Sequence, residues 1–328
     1  MSAVIKLPNK ITSFLLIPGI TIIFWAYPLF VNAPLNPSFT ASFFSNLANL
    51  LTQWHLDIVI AFFLVLINAM LLNSLLSKHN LFNANSYIAG IIYALILSCH
   101  PIYLVFHPAL ILNFLILLIL NKIFSSYRKS EALHNCYEAG LFAGLATIIY
   151  MPGIVLIPFV LAANAIVRPF NWKEWATQAL GMATPFYVAA MVLYCWMGWE
   201  VFAQIGETIS LPLYTNPIIH PFPYLPVICL VIIILWGIKP IINELQSRAV
   251  RGKKLYSILG WLGAFFTLSI VVFDPSYTYS LPLISIPISV SIAVVLKREN
   301  RAWIKGTIFF CIICAIVYSH IVTLQQQF

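Results

Sequence analysis

Nine carboxylates and seven histidines make up the acid–base inventory of this sequence, few enough to weigh one at a time. Asp57, Glu200 and Glu207 are the candidate catalytic carboxylates, groups that can take a proton from an attacking hydroxyl or hold a cation. His55, His100, His107 and His220 are the candidate substrate-binding imidazoles, with His320 and Asp274 in comparable positions. Carboxylates and imidazoles together suit a divalent metal or general acid–base work. Neither H-x-x-x-H nor H-E-x-x-H spacing occurs, so no metal-ligand set is assigned. His100-Pro101, His107-Pro108, His220-Pro221 and Asp274-Pro275 also read as turn chemistry, because a residue before proline is pushed away from helix.

The remaining acids have plainer accounts. Glu131, Glu174, Glu244 and Glu299 lie among basic residues and read as solvated charge balance. Glu138 begins an apolar run, a helix N-terminus that favours a carboxylate. The six cysteines sit in or beside apolar runs, and even Cys311-x-x-Cys314 lies inside one, so they read as small packing residues. No phosphate-cradling glycine loop, nucleophile elbow or haem-attachment motif is present, which excludes a soluble nucleotide enzyme.

The elements that must position these groups follow from composition. Hydrophobic residues are 62% of the chain and charged residues 8%, against roughly 25% charged in a soluble domain. So little charge cannot cover a water-facing surface, and lipid must be the solvent for most of the perimeter. With about 20 apolar residues per crossing, the sequence predicts an all-α, polytopic membrane helix bundle of about eleven spans. They are placed near 12–31, 57–76, 86–104, 108–125, 136–151, 153–168, 177–198, 223–243, 255–273, 280–296 and 303–323. The first run, Ile11 to Val31, is longer than a signal-peptide core and reads as a retained span.

Charge sets the orientation. With Lys6 and Lys10 in the cytoplasm, eleven crossings put all 17 Lys and Arg on the cytoplasmic side or at its edge. The N-terminus is then inside and the C-terminus outside, and the outer face carries the candidate carboxylates and imidazoles but no cation. The net charge of +8 is therefore an orientation signal and no sign of nucleic acid. The cluster Arg248, Arg251, Lys253 and Lys254 can meet membrane lipids that carry anionic head groups. In the first outer loop, Phe39, Phe43, Leu47, Leu50, Leu51 and Trp54 recur at helical spacing opposite Ser42, Asn46, Asn49 and Gln53. This predicts an amphipathic interfacial helix over 38–54, ending beside His55 and Asp57.

Smaller patterns concern packing. Tyr87-Ile88-Ala89-Gly90 leads a run to Pro101, and Tyr137-Glu138-Ala139-Gly140 leads another to Pro152, the outline of two similar hairpins. Gly140 and Gly144 form a G-x-x-x-G that lets helices approach, by default within the molecule. Asn68, Asn73, Asn113 and Asn164 are polar positions that can bond helix to helix. Charge within the spans is nearly absent, which speaks against an ion-driven pump.

The layout of a first span, an outer loop, the Asn80-Leu81-Phe82-Asn83-Ala84-Asn85 loop, Gly140-Leu141-Phe142-Ala143-Gly144-Leu145-Ala146 and Tyr150-Met151-Pro152 resembles the C-type membrane glycosyltransferases. The segment Arg168-Pro169-Phe170-Asn171-Trp172-Lys173-Glu174-Trp175, with Gly181 and Thr184-Pro185, is similar to a group of bacterial polytopic inner-membrane proteins without assigned activity. The resemblance covers residues 12–200, leaving 201–328 as C-terminal helices of a single membrane domain. It implies a bacterial inner-membrane location, in the cell envelope, and sugar transfer from a polyprenyl-phosphate-linked glycan on the outer face. It also implies a catalytic acid early in the first outer loop. No acid occurs from Val31 to Leu56, so Asp57 is the residue at hand, and an outer histidine or a metal would have to meet the donor phosphate. Three readings stand: a divergent transferase, a non-catalytic subunit or scaffold bound to other membrane proteins, and a lipid or glycan transporter or flippase.

Overall fold

Inside a bilayer no water is available to a backbone N–H or C=O, so a spanning chain must form helices or a closed barrel. The computed structural model describes residues 56–82, 86–99, 101–129, 131–197, 240–273, 281–299 and 301–325, with short helical pieces at 18–19, 21–22, 232–233 and 237. Among these residues every regular element is a helix. We number them α1 (Leu56–Lys78), α2 (Ile88–Leu97), α3 (Pro108–Ser125), α4 (Leu133–Ile149), α5 (Leu156–Val167), α6 (Trp172–Met197), α7 (Val250–Phe273), α8 (Leu281–Arg298) and α9 (Ala302–Gln325). Short 3-10 turns, Pro101–Leu104 and Met151–Val155, follow α2 and α4.

The segments Leu56–Lys78, Pro108–Ser125, Trp172–Cys195 and Trp303–Val322 are each long and apolar enough to cross a membrane. Among the described residues the protein is thus all-helical, with helices fit for a membrane. These helices fall on the apolar runs read from the sequence, with two shortenings, one of which leaves 153–168 α-helical only from Leu156, behind the 3-10 turn Met151–Val155. The run 86–104 is helical only to Leu97 and resumes as a 3-10 turn, because Pro101 has no N–H to give and disfavours helix at the residue before it. The amphipathic segment 38–54 and most of 12–31 and 223–243 lie outside the described residues.

The chain forms two compact units, and the division falls within α3 and α7. The first contains α1, α2, the start of α3, residues 221–253, α8 and α9. Here α2 packs on α1 and on α9. Close approach of α1 and α2 depends on Gly90, where a Cβ would lie 2.1 Å from Asn73 Nδ2. The Gly90 N–H instead donates to Asn73 Oδ1 at 3.0 Å. Asn68 donates to the Leu110 carbonyl at 3.0 Å, tying α1 to α3. The Asn113 amide reaches the Tyr93 hydroxyl at 3.1 Å and the Pro282 carbonyl at 3.0 Å, tying α3 to α2 and α8.

The second unit contains the rest of α3, α4, α5, α6 and most of α7. Its main contact is α4 against α6, and it is made by small residues from both sides. A Cβ on Gly140 would lie 2.2 Å from the Gln178 carbonyl oxygen, and one on Gly181 would lie 2.2 Å from that of Tyr137. A Cβ on Gly144 would lie 2.4 Å from the Met182 carbonyl oxygen and 3.1 Å from Pro185 Cγ. The G-x-x-x-G is therefore an internal helix contact. Asn164 donates to Gln178 Oε1 at 3.0 Å, joining α5 to α6. Both hairpins share a plan: a helix carrying Tyr-x-Ala-Gly, at the start of α2 but in the second turn of α4, whose glycine meets a neighbouring helix, then a proline-bearing 3-10 turn, then a second helix.

Gly140→Ala and Gly181→Ala should each force α4 and α6 apart at a cost of about 1–3 kcal/mol. The thermal midpoint of the purified protein should fall by several degrees. Gly260→Ala, with nothing described within 4 Å of the new methyl, should leave it unmoved; equal midpoints for all three would refute the close contact.

Candidate functional site

Asp57 lies in the first turn of α1, where the helix dipole favours negative charge. It is buried, 7% exposed, and its Oδ1 has no hydrogen-bond partner among the described residues. A buried carboxylate oxygen with an unused lone pair can accept a proton from a hydroxyl or meet a cation. It is the one candidate catalytic acid within the described residues. Glu200 and Glu207 lie outside them, as do His55, His100, His220 and Asp274.

His107 is buried just before α3. Its Nδ1 accepts the Ala109 N–H at 3.1 Å. This is a helix N-cap in which an imidazole nitrogen does the work of the usual Ser or Asp oxygen. An accepting Nδ1 leaves the ring proton on Nε2. Pro108 then opens α3 at the position where a missing N–H costs nothing. His320, buried near the end of α9, donates from Nε2 to the Ser98 carbonyl at 3.1 Å, just past the end of α2. Both imidazoles therefore serve helix ends. Among the described residues neither is joined to Asp57, and no group of three or more His, Cys, Asp and Glu is placed to hold a metal. The described part of the chain thus does not supply a divalent-metal site by itself.

The acids read as solvated need correction. Glu174 and Glu244 are buried, 2% and 5% exposed. Each holds an arginine that spends its other donors on backbone carbonyls at the end of a helix. In the second unit Arg168 binds Glu174 with Nε and Nη2, both at 2.8 Å. Its Nη1 donates to the Ser126 and Lys129 carbonyls at 2.7 and 2.8 Å. These flank Arg128, whose φ of 57° reverses the chain after α3. Arg168 is placed by its own sequence: it precedes Pro169, which ends α5 and leaves Arg168 extended.

In the first unit α1 ends with Asn80 at φ 57°. Asn80 N–H donates to Ser77 O at 3.0 Å and Leu81 N–H to Leu76 O at 2.9 Å, the paired bonds of a Schellman stop. Arg248 then donates to the Asn80 carbonyl at 3.0 Å and the Leu81 carbonyl at 2.8 Å while paired with Glu244 at 2.5 Å. Arg298 at 2.5 Å and Lys297 at 3.4 Å complete the cations around Glu244. Burial acts to raise this carboxyl, but hydrogen bonds from Arg248 and Arg298 and the charge of Lys297 outweigh it and hold it at about 2.

Sequence could have offered Glu244 and Arg248 as an i,i+4 pair. Arg168 and Glu174 bracket a proline turn, and nothing in their spacing marks burial. Beside this second clamp, a cavity of about 10 Å³ is lined by Ser126, Asn135, Cys136, Asn164 and Gln178 among others. That is room for one water, and Gln178 Nε2 has no partner among the described residues.

Removing Arg168 would strand the Glu174 charge in the protein, a cost of about 3–5 kcal/mol. Arg168→Lys should recover little, because an ammonium cannot make the two-pronged carboxylate contact and also reach both carbonyls; chemical unfolding of the purified variants measures this. The depressed Glu244 carboxyl contributes stability that is complete above its ordinary value of 4.5 and is lost as pH falls toward about 2. The loss is roughly 3 kcal/mol. The thermal midpoint should fall across that window, and Glu244→Gln should be less stable at neutral pH and lack that part of the slope.

No curated protein and no solved structure matches the chain. Residues 30–327, nearly its whole length, match the family of unknown function DUF6427, and the chain belongs to that family.

Proposed function

We propose that the chain is a multi-pass protein of the bacterial inner membrane, in the cell envelope, with about eleven spans, an inner N-terminus and an outer C-terminus. What supports this is the one-sided distribution of its 17 Lys and Arg under that span count. A C-terminal alkaline phosphatase fusion should be active in cells and a C-terminal green fluorescent protein fusion dark. The reverse result would mean an even number of crossings.

Within that frame the proposed activity is transfer of a sugar from a polyprenyl-phosphate-linked donor on the outer face. Asp57 takes the proton of the acceptor hydroxyl as it attacks the sugar. The observation that carries this reading is the buried Asp57 carboxylate with an oxygen left unpaired among the described residues. Every other carboxylate buried among the described residues is tied to arginine or lysine, so among those buried acids Asp57 is the one with an oxygen left for a substrate. That same contrast also favours a second reading, a non-catalytic subunit of a membrane complex, since most of the polar groups are spent on structure.

The test compares wild type with Asp57→Asn, purified into nanodiscs and supplied with radiolabelled polyprenyl-phosphate sugars and envelope glycan acceptors. Transfer by wild type, lost by at least a hundredfold in Asp57→Asn at equal thermal midpoint, supports the transferase. If Asp57→Asn restores a deletion strain fully, the transferase reading fails and the subunit reading stands.

A further inference from the structure

The clamp around Glu244 has more positive charge than it needs. Arg248, Lys297 and Arg298 all lie within 3.4 Å of one carboxylate. Three cations on one anion leave an excess of two positive charges. Glu299, the carboxylate next to Arg298 in the chain, accepts the Arg301 backbone N–H at 3.2 Å.

The three cations are not equally committed. Arg248 spends its donors on Glu244, Asn80 and Leu81. Lys297 touches Glu244 at 3.4 Å with one of its three N–H bonds, stands 5.2 Å from the Phe82 ring centroid, and is 31% exposed. Arg298 uses Nε on Glu244 and Nη2 on Asn243 and Ser247, which leaves Nη1 without a partner among the described residues, and it is 33% exposed. Both therefore present unspent donors at a rim held rigid by the buried Glu244.

Arg298 ends α8, and the next helix opens the span-length segment Trp303–Val322. Trp303, at the start of α9 after the α8–α9 turn, is 65% exposed. A free oxyanion gains nothing from such neighbours, whereas a molecule with a phosphate head and acyl tails meets both.

We propose that this end of the first unit, with Lys297 and Arg298 as the phosphate-facing groups, is a binding site for an anionic phospholipid. The shared chemistry is a phosphate oxyanion, met by charge-assisted hydrogen bonds from groups already fixed in place. The site does not depend on Asp57 or on the transferase reading.

The experiment uses the full chain in neutral detergent, titrated in native mass spectrometry and thermal shift with phosphatidylglycerol, with phosphatidylcholine and with inorganic phosphate. Phosphatidylglycerol should bind and raise the midpoint, and the other two should not. Lys297→Gln and Arg298→Gln should each weaken binding about five-fold, the worth of one cation near an anionic surface. Lys297→Arg should retain it, and Lys173→Gln, an exposed lysine of the second unit, should not change it. Equal binding of phosphatidylcholine, or unchanged binding by both glutamine variants, overturns the site. A midpoint raised as much by inorganic phosphate overturns the lipid assignment in favour of a free oxyanion. The wild-type comparison of phosphatidylglycerol with phosphatidylcholine keeps the test decisive even if a glutamine variant folds poorly.

Discussion

The last carbonyls of a helix have no partner within that helix, and a membrane protein can least tolerate leaving them so. The chain meets this demand twice with the same device: a buried glutamate fixes an arginine, and the arginine feeds its remaining donors to carbonyls just past a helix end. Arg168 does this after α3 and Arg248 after α1. In both places the reversal itself uses a residue at φ 57°, Asn80 in one and Arg128 in the other. Asparagine adopts that conformation readily; arginine does so at some cost, and Arg168 is what makes the turn at Arg128 worth keeping. The loops and the connected helices α5, α6 and α8 take their positions relative to these fixed ends within each unit.

Between the ends, cohesion is left to small residues and amides, because lipid-facing helices gain little from burying apolar surface against one another. Gly140, Gly144 and Gly181 bring backbones together, and Asn68, Asn73, Asn113 and Asn164 span the gaps with hydrogen bonds. The division of labour is consistent: glycine sets the distance, asparagine sets the register. Gly90 and Asn73 show both roles in one contact.

Much of the fold was legible because its signals are local. Apolar runs bounded by Pro101, Pro152 and Pro169 gave the helices, and the asparagines within those runs announced their bonds. The site was less legible for physical reasons. Glu174 and Glu244 look like loop charges because burial is decided by partners far along the chain, Arg298 lying 54 residues from Glu244. His107 looked like a ligand and is a helix cap, a role that depends on one ring nitrogen meeting an N–H two residues on. Asp57 was visible as an isolated acid, but isolation in sequence says nothing of what faces it, and Glu200, Glu207, His55, His100, His220 and Asp274, grouped with it, lie outside the described residues.

The reach of the two clamps bears on how the protein is made. Arg168 follows Ser126 by 42 residues, and Arg248 follows Asn80 by 168. At roughly 5–20 residues per second of translation, the end of α3 waits a few seconds for its arginine, whereas the end of α1 waits on the order of ten seconds or more. During that interval the Schellman bonds alone close the end of α1, and the Asn80 and Leu81 carbonyls just past it are served only by water at the membrane edge. The first long helix described in the first unit is thus made early and fastened late.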